Sequence, residues 1–170
     1  MTNALFILAQ SQFRDEEFQK PFDILTKAGH KCSVASIEKQ DCAGVLGLRV
    51  KPDLTVQEAL RREWDAVIVV GGPGSPRLAD YPEVLQLVKK ACNSGKITAS
   101  ICLGGTVLAR AGVLHGRKAT VFNADWAVSL LVDYEADYTG KQVEVDGNII
   151  TADAPGAAER FGRAILSALR

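Results

Sequence analysis

Apolar residues along this chain fall into two patterns. Short strand-like runs occur at residues 4–8 (ALFIL), 31–37 (KCSVASI), 66–70 (AVIVV) and 97–101 (ITASI). The runs at 4–8 and 66–70 are apolar throughout, which predicts strands covered on both faces; the other two also read as strands. Between them, apolar positions recur every three or four residues. Phe18, Phe22 and Leu25 line one face of a helix predicted over residues 16–28, with Gly29 placed to stop it. Residues 55–62 predict a short helix in which Thr55 and Glu58 have capping-box spacing. Residues 82–94 begin with proline and end before Gly95, as a helix prefers. Further helices are predicted over 105–111, 124–131 and 157–169, a strand over 118–122, and a small hairpin or loop around Gly44 and Gly47. Asp146-Gly147 between two β-rich runs, 142–145 and 148–152, is a strong hairpin signal.

Regular β-α-β alternation predicts an α/β domain with a mostly parallel sheet and helices on both faces. The hairpin adds an antiparallel element. The 170 residues suffice for one such domain, 1–170, and no repeat or linker divides them. Twenty basic and twenty acidic residues give a formal net charge of zero. That balance offers no electrostatic reason to expect nucleic acid or an anionic membrane as partner. No targeting signal is legible near the N-terminus, so the cytoplasm is the expected compartment. The four cysteines form no CxxC pair, and His30 and His115 stand at no metal-ligand spacing. No metal or cofactor is expected.

Chemistry concentrates in two glycine-rich turns. Ser100-Ile101-Cys102-Leu103-Gly104-Gly105 lies where a buried strand meets a helix. Small residues two before and two after Cys102 suit a nucleophile elbow, whose central residue takes a strained backbone. Its thiol would sit at a helix N-terminus, which favours the thiolate, and the Leu103 N–H would point into the same space. A buried core cysteine before a glycine turn fits the same spacing. Gly71-Gly72-Pro73-Gly74 also follows an apolar strand. It lacks the Gly-Lys-Ser/Thr ending of a P-loop and is not GxGxxG. Either it is a plain turn, or its glycines bring backbone N–H groups towards an oxyanion near Cys102.

Three segments together resemble the ThiJ/PfpI superfamily: Ala99-Ser100-Ile101-Cys102, Val69-Val70-Gly71-Gly72, and Phe13-Arg14-Asp15-Glu16-Glu17 followed by Pro21 and Ala28-Gly29-His30. The order of Ala111-Gly112-Val113-Leu114, Asp146-Gly147-Asn148 and Asp153-Ala154-Pro155-Gly156 extends the likeness over essentially the whole chain. The resemblance implies the class I glutamine-amidotransferase-like fold, a flavodoxin-like three-layer α/β/α sandwich, and a homodimer or higher homo-oligomer. It implies Cys102 as nucleophile, Glu17 as its carboxyl partner, and the backbone of Gly72 and Leu103 as oxyanion donors. Because Pro21 has no N–H, the Glu17 carbonyl loses its helical partner and a distorted first turn is expected there.

The chain departs from the hydrolytic branch of that family, where a histidine follows the cysteine; here the position is Leu103. The segment Thr120-Val121-Phe122-Asn123 also lacks a histidine found in another branch. Peptide cleavage wants an imidazole to protonate the leaving amine, so peptidase activity is not expected. By family analogy Phe122, Asn123, Asp125 and Trp126 fall near the pocket mouth. Two functions follow from the resemblance. One is a cysteine-dependent enzyme acting on a small electrophile, as glyoxalase or deglycase, hydratase or amidase-like hydrolase, with Glu17 moving the proton. The other is a redox-responsive or protective protein in which Cys102 is oxidised to sulfenic or sulfinic acid. A binding or structural module with a relic elbow is a third reading beside those two.

Overall fold

The computed structural model describes residues 2–170. The strands are β1 (Asn3–Ile7), β2 (Ser11–Phe13), β3 (Lys31–Ser36), β4 (Cys42–Gly44), β5 (Arg49–Val50), β6 (Leu54–Thr55), β7 (Ala66–Val69), β8 (Ile97–Ile101), β9 (Lys118–Ala119), β10 (Asp137–Tyr138), β11 (Val143–Asp146) and β12 (Ile149–Ala152). The α-helices are α1 (Asp15–Lys27), α2 (Val56–Ala59), α3 (Pro82–Asn93), α4 (Gly105–Arg110), α5 (Asp125–Asp133) and α6 (Ala158–Ala168).

Seven strands form the central sheet in the order β11-β12-β8-β7-β1-β3-β6. All its pairings are parallel except β11 with β12. Alternate residues of the middle strands feed two separate cores. Leu5, Ile7, Val67 and Val69 pack with α3 and α4, whereas Phe6, Ile68 and Ile101 pack with α1 and α6. This is the three-layer α/β/α sandwich implied by the family likeness. β1 and β7 are buried along almost their whole length, which is why they read as unbroken apolar runs.

Local rules hold where they concern local bonds. Gly29 takes φ +90°, and the N–H groups of Gly29 and His30 reach back to the carbonyls of Thr26 and Leu25, ending α1. Thr55 and Glu58 close a reciprocal capping box, although α2 is only a single turn rather than the eight residues its pattern suggested. α1 runs unbroken through Pro21, so the expected distortion does not interrupt it; the proline lies against Gly162 of α6. The strand expected over residues 118–122 stops at Ala119 and pairs with β10, outside the central sheet. Beyond it the backbone finds other acceptors: the Thr120 N–H donates to Thr151 Oγ1 and the Phe122 N–H to the Cys102 carbonyl.

The segment around Gly44 and Gly47 is a hairpin of β4 and β5, joined by β2 into a small three-stranded sheet. That sheet stands beyond the carboxyl end of β1, beside the elbow. Among the described residues no helix is long and apolar enough to cross a membrane.

Candidate functional site

The carboxyl ends of β7 and β8 lie side by side and each runs into a glycine turn. After β8, Cys102 adopts φ +58°, the left-handed region that a residue with a Cβ rarely occupies. One turn of 3₁₀ helix, residues 102–104, then leads into α4. Smallness at Gly104 has a tertiary reason, since a Cβ there would meet the Val69 carbonyl oxygen at 2.6 Å. The turn is thereby pressed onto the sheet, and the strain at Cys102 is sustained by its surroundings.

Glu17 reaches the same point from the other side. The Arg14 N–H donates to the Gly71 carbonyl at 2.8 Å, which ties the start of α1 to the glycine turn after β7. Phe18 turns into a cluster with Phe6, Phe13 and Phe22, ring centroids 5.0–6.1 Å apart, and this anchors the first turn of the helix. Glu17 is then fully buried, and neither carboxyl oxygen meets hydrogen-bond geometry with a described partner. Gly71 is the spacer between the two groups. A Cβ on it would collide with Glu17 Oε1 and lie 2.7 Å from Cys102 Cβ.

Burial pushes the Glu17 carboxyl up to about 8; the neighbouring Cys102 thiol, Arg14 and the Gly71 N–H offset only part of that. Cys102 is 6% exposed, and burial, reinforced by Glu17, pushes its thiol up to about 12. The N–H groups of Leu103 and Gly72 favour the thiolate, but they do not outweigh those two effects. The lowered thiol pKa expected at a helix N-terminus is therefore not what this environment produces. At neutral pH both groups hold their protons, and they titrate as one coupled pair.

All four residues singled out by the family likeness thus meet: Cys102, Glu17, Gly72 and Leu103. Phe122 follows the elbow closely through its bond to the Cys102 carbonyl; Phe122, Asn123, Asp125 and Trp126 are exposed, so Trp126 is no core residue. The histidines lie elsewhere. His30 contacts Thr2 Oγ1 at the opposite end of the sheet, and His115 pairs with Glu135.

Two roles escaped the sequence reading. Gly71 stands in the glycine turn the sequence singles out, but its role as spacer has no local signal, because its crowding comes from residues 54 positions before and 31 after it in the chain. Asp15 reads as a surface acid, yet its carboxylate accepts from the N–H groups of Leu46 and Leu48 and holds the β4–β5 hairpin against α1. The three consecutive acids have three fates. Asp15 caps the hairpin, Glu16 forms a half-buried ion pair with Arg14, and Glu17 is buried against the thiol.

A sequence model of the DJ-1/PfpI family matches residues 2–168. The chain is 39% identical to an uncharacterised protein of Methanocaldococcus jannaschii, over 99% of this chain and 84% of the relative. It is 31% identical to a Pyrococcus furiosus protein named deglycase PfpI, over 98% of this chain and 99% of that one. Among solved structures, a ThiJ/PfpI domain protein from Brachyspira murdochii superposes with a TM-score of 0.92 at 32% identity, covering 98% and 95% of the two chains.

Proposed function

The chain belongs to the DJ-1/PfpI family, and from that premise we propose that it is a cysteine-dependent enzyme acting on a small carbonyl electrophile, of the glyoxalase or deglycase kind, with Cys102 as nucleophile and Glu17 as its proton partner. One observation carries this reading. A strained cysteine and a fully buried carboxyl converge at a site where two backbone N–H groups favour negative charge on the sulfur.

With a 2-oxoaldehyde the roles are as follows. The Cys102 sulfur bonds to the aldehyde carbon, and the carbonyl electron pair moves onto its oxygen. The thiol proton passes to that oxygen through Glu17, which takes one proton and returns another. A carboxyl poised near 8 suits this exchange, because it neither holds nor sheds a proton irreversibly at neutral pH. The N–H groups of Gly72 and Leu103 hold the oxygen while it is charged. Glu17, protonated again, gives its proton to the neighbouring ketone oxygen and as carboxylate removes the carbon-bound proton, forming an enediol; it then delivers that proton to the neighbouring carbon and takes up the hydroxyl proton as the thioester carbonyl forms. Water cleaves the thioester, frees the 2-hydroxy acid and restores the thiol.

Leu103 bears on substrate class. No imidazole follows the nucleophile to protonate the departing amine of a peptide, which favours carbonyl addition over peptide cleavage. Oxidation of Cys102 as a sensing step would want an exposed thiol that ionises easily, and this one is buried with its pKa raised.

The test is methylglyoxal consumption with lactate measured as product. Wild-type protein is expected to turn it over, and Cys102→Ser to lose at least about 10³-fold while keeping its circular dichroism spectrum. Equal lactate formation by Cys102→Ser, or none by wild type together with failure on glycated amines, would sink the proposal.

A further inference from the structure

A groove of about 300 Å³ lies beyond the carboxyl end of β1 and does not include Cys102. Its floor is the chain leaving β1, from Ala9 to Gln12, and its walls come from Ile37 and Glu38 on one side and Arg77, Leu78 and Tyr81 on the other. The two walls follow β3 and β7, the two neighbours of β1 in the sheet. The chain runs outward from β1 through β3 to β6 and then crosses back to β7 on the other side of β1. This is the topological switch point, and open α/β sheets bind ligands in the crevice outside the strand ends there.

The groove is built and bears charge of both signs. The Gln10 carboxamide accepts from the Glu38 N–H at 3.1 Å and donates to the Glu38 carbonyl at 3.3 Å, so the backbone of Glu38 is held from both sides. Gln12 sits at φ +64° and its carbonyl accepts from the Gly74 N–H at 3.0 Å, which fixes the floor against the Arg77 wall. Arg77 and Glu38 are exposed, and among the described residues neither forms an ion pair, with the other or with anything else. Two charges near them in sequence are engaged elsewhere: Asp80 with Arg110 at 3.1 Å, Lys39 with Glu58 at 3.4 Å. An unpaired cation and an unpaired anion face one crevice whose remaining walls are Ile37, Leu78 and the Tyr81 ring.

We propose that this groove binds a small zwitterion of the α-amino-acid class, its carboxylate on Arg77, its ammonium on Glu38, and an apolar or aromatic side chain against Ile37, Leu78 and Tyr81. The volume is at the small end for ligand pockets and suits a molecule of amino-acid size. A guanidinium matches a carboxylate with two parallel hydrogen bonds. A ligand carrying both charges satisfies both walls, whereas a ligand with one charge leaves the other wall unanswered. The inference goes beyond the cysteine chemistry and does not rest on it.

Calorimetric titration of the full chain at neutral pH tests this with L-phenylalanine, 3-phenylpropionate and phenethylamine, the last two each lacking one charge. Saturable binding of L-phenylalanine is expected, at least roughly tenfold tighter than either analogue, since each charge-assisted hydrogen bond is individually strong. Arg77→Ala and Glu38→Gln should each weaken it by at least about tenfold, whereas Cys102→Ser should leave it unchanged. No binding of L-phenylalanine at millimolar concentration would overturn the proposal. So would equal affinity for either analogue, or unaltered affinity in Arg77→Ala with the fold intact by circular dichroism. Because the readout is binding, and Cys102→Ser still binds if the groove is a site, failure here is distinct from failure of methylglyoxal turnover.

Discussion

At Glu17, burial converts a common surface acid into a group that keeps its proton at neutral pH. The consequence for stability has a definite sign. A carboxyl pushed from 4.5 up to about 8 binds its proton more tightly in the folded than in the unfolded chain. Its contribution is therefore fully present below about pH 4.5 and lost as pH rises through about 8. Glu17→Gln cannot ionise, so it should melt above wild type at pH 9, by roughly 3–10 °C for a difference of about 1–3 kcal/mol, and the gap should close at pH 5. A second readout tests the coupling directly. Glu17 raises the Cys102 thiol, so in Glu17→Gln the pH midpoint of Cys102 alkylation by iodoacetamide, resolved by peptide mass spectrometry, should fall. An unchanged midpoint would mean that the two groups do not interact.

At the scale of elements, the site depends on how α1 is docked. The Arg14 N–H holds the glycine turn, and Asp15 holds the β4–β5 hairpin through two hydrogen bonds of 2.9 and 2.8 Å. Gly44 permits this, since a Cβ there would run into the Asp15 carboxylate, 2.6 Å from its Cγ. Bonds from a carboxylate to two backbone N–H groups are each worth about 1.5–3 kcal/mol, and their loss leaves both donors without a protein partner. Asp15→Ala is accordingly expected to speed amide hydrogen exchange at residues 44–50 by at least about tenfold. Exchange confined to wild-type rates would show that the hairpin is held by its own strands instead.

Across the whole molecule, α1 and α6 pack on one face of the sheet and bring the first and last helices of the chain together. They approach closely at Gly162, where a Cβ would stand 2.9 Å from both Pro21 Cα and Ile24 Cδ1. Backbone cannot yield there as a flexible side chain would, so Gly162→Ala should cost about 1–3 kcal/mol. For a chain of this size the melting temperature should drop by roughly 2–10 °C, and far-ultraviolet circular dichroism and tryptophan fluorescence should report the same transition. A split between the two probes would mean that the α1–α6 face melts apart from the rest.

What the chain declares by itself is whatever depends on neighbours within a few positions. The unbroken runs of β1 and β7, the Gly29 stop, the capping box at Thr55 and the Asp146-Gly147 turn are local choices, and the structure bears them out. The elbow at Cys102 was visible for the same reason, because its small flanking residues adjoin it in sequence. Where pairing decided, local pattern was insufficient: residues 120–122 look like strand but donate to Thr151 and to the elbow carbonyl. The same holds for the site. Nothing in Asp15-Glu16-Glu17 tells which acid is buried, and composition alone does not indicate that Arg77 and Glu38 face one groove unpaired. A carboxyl's solvation, and with it its proton affinity, is set by whatever packs on it from distant parts of the chain, and only the folded arrangement supplies those neighbours.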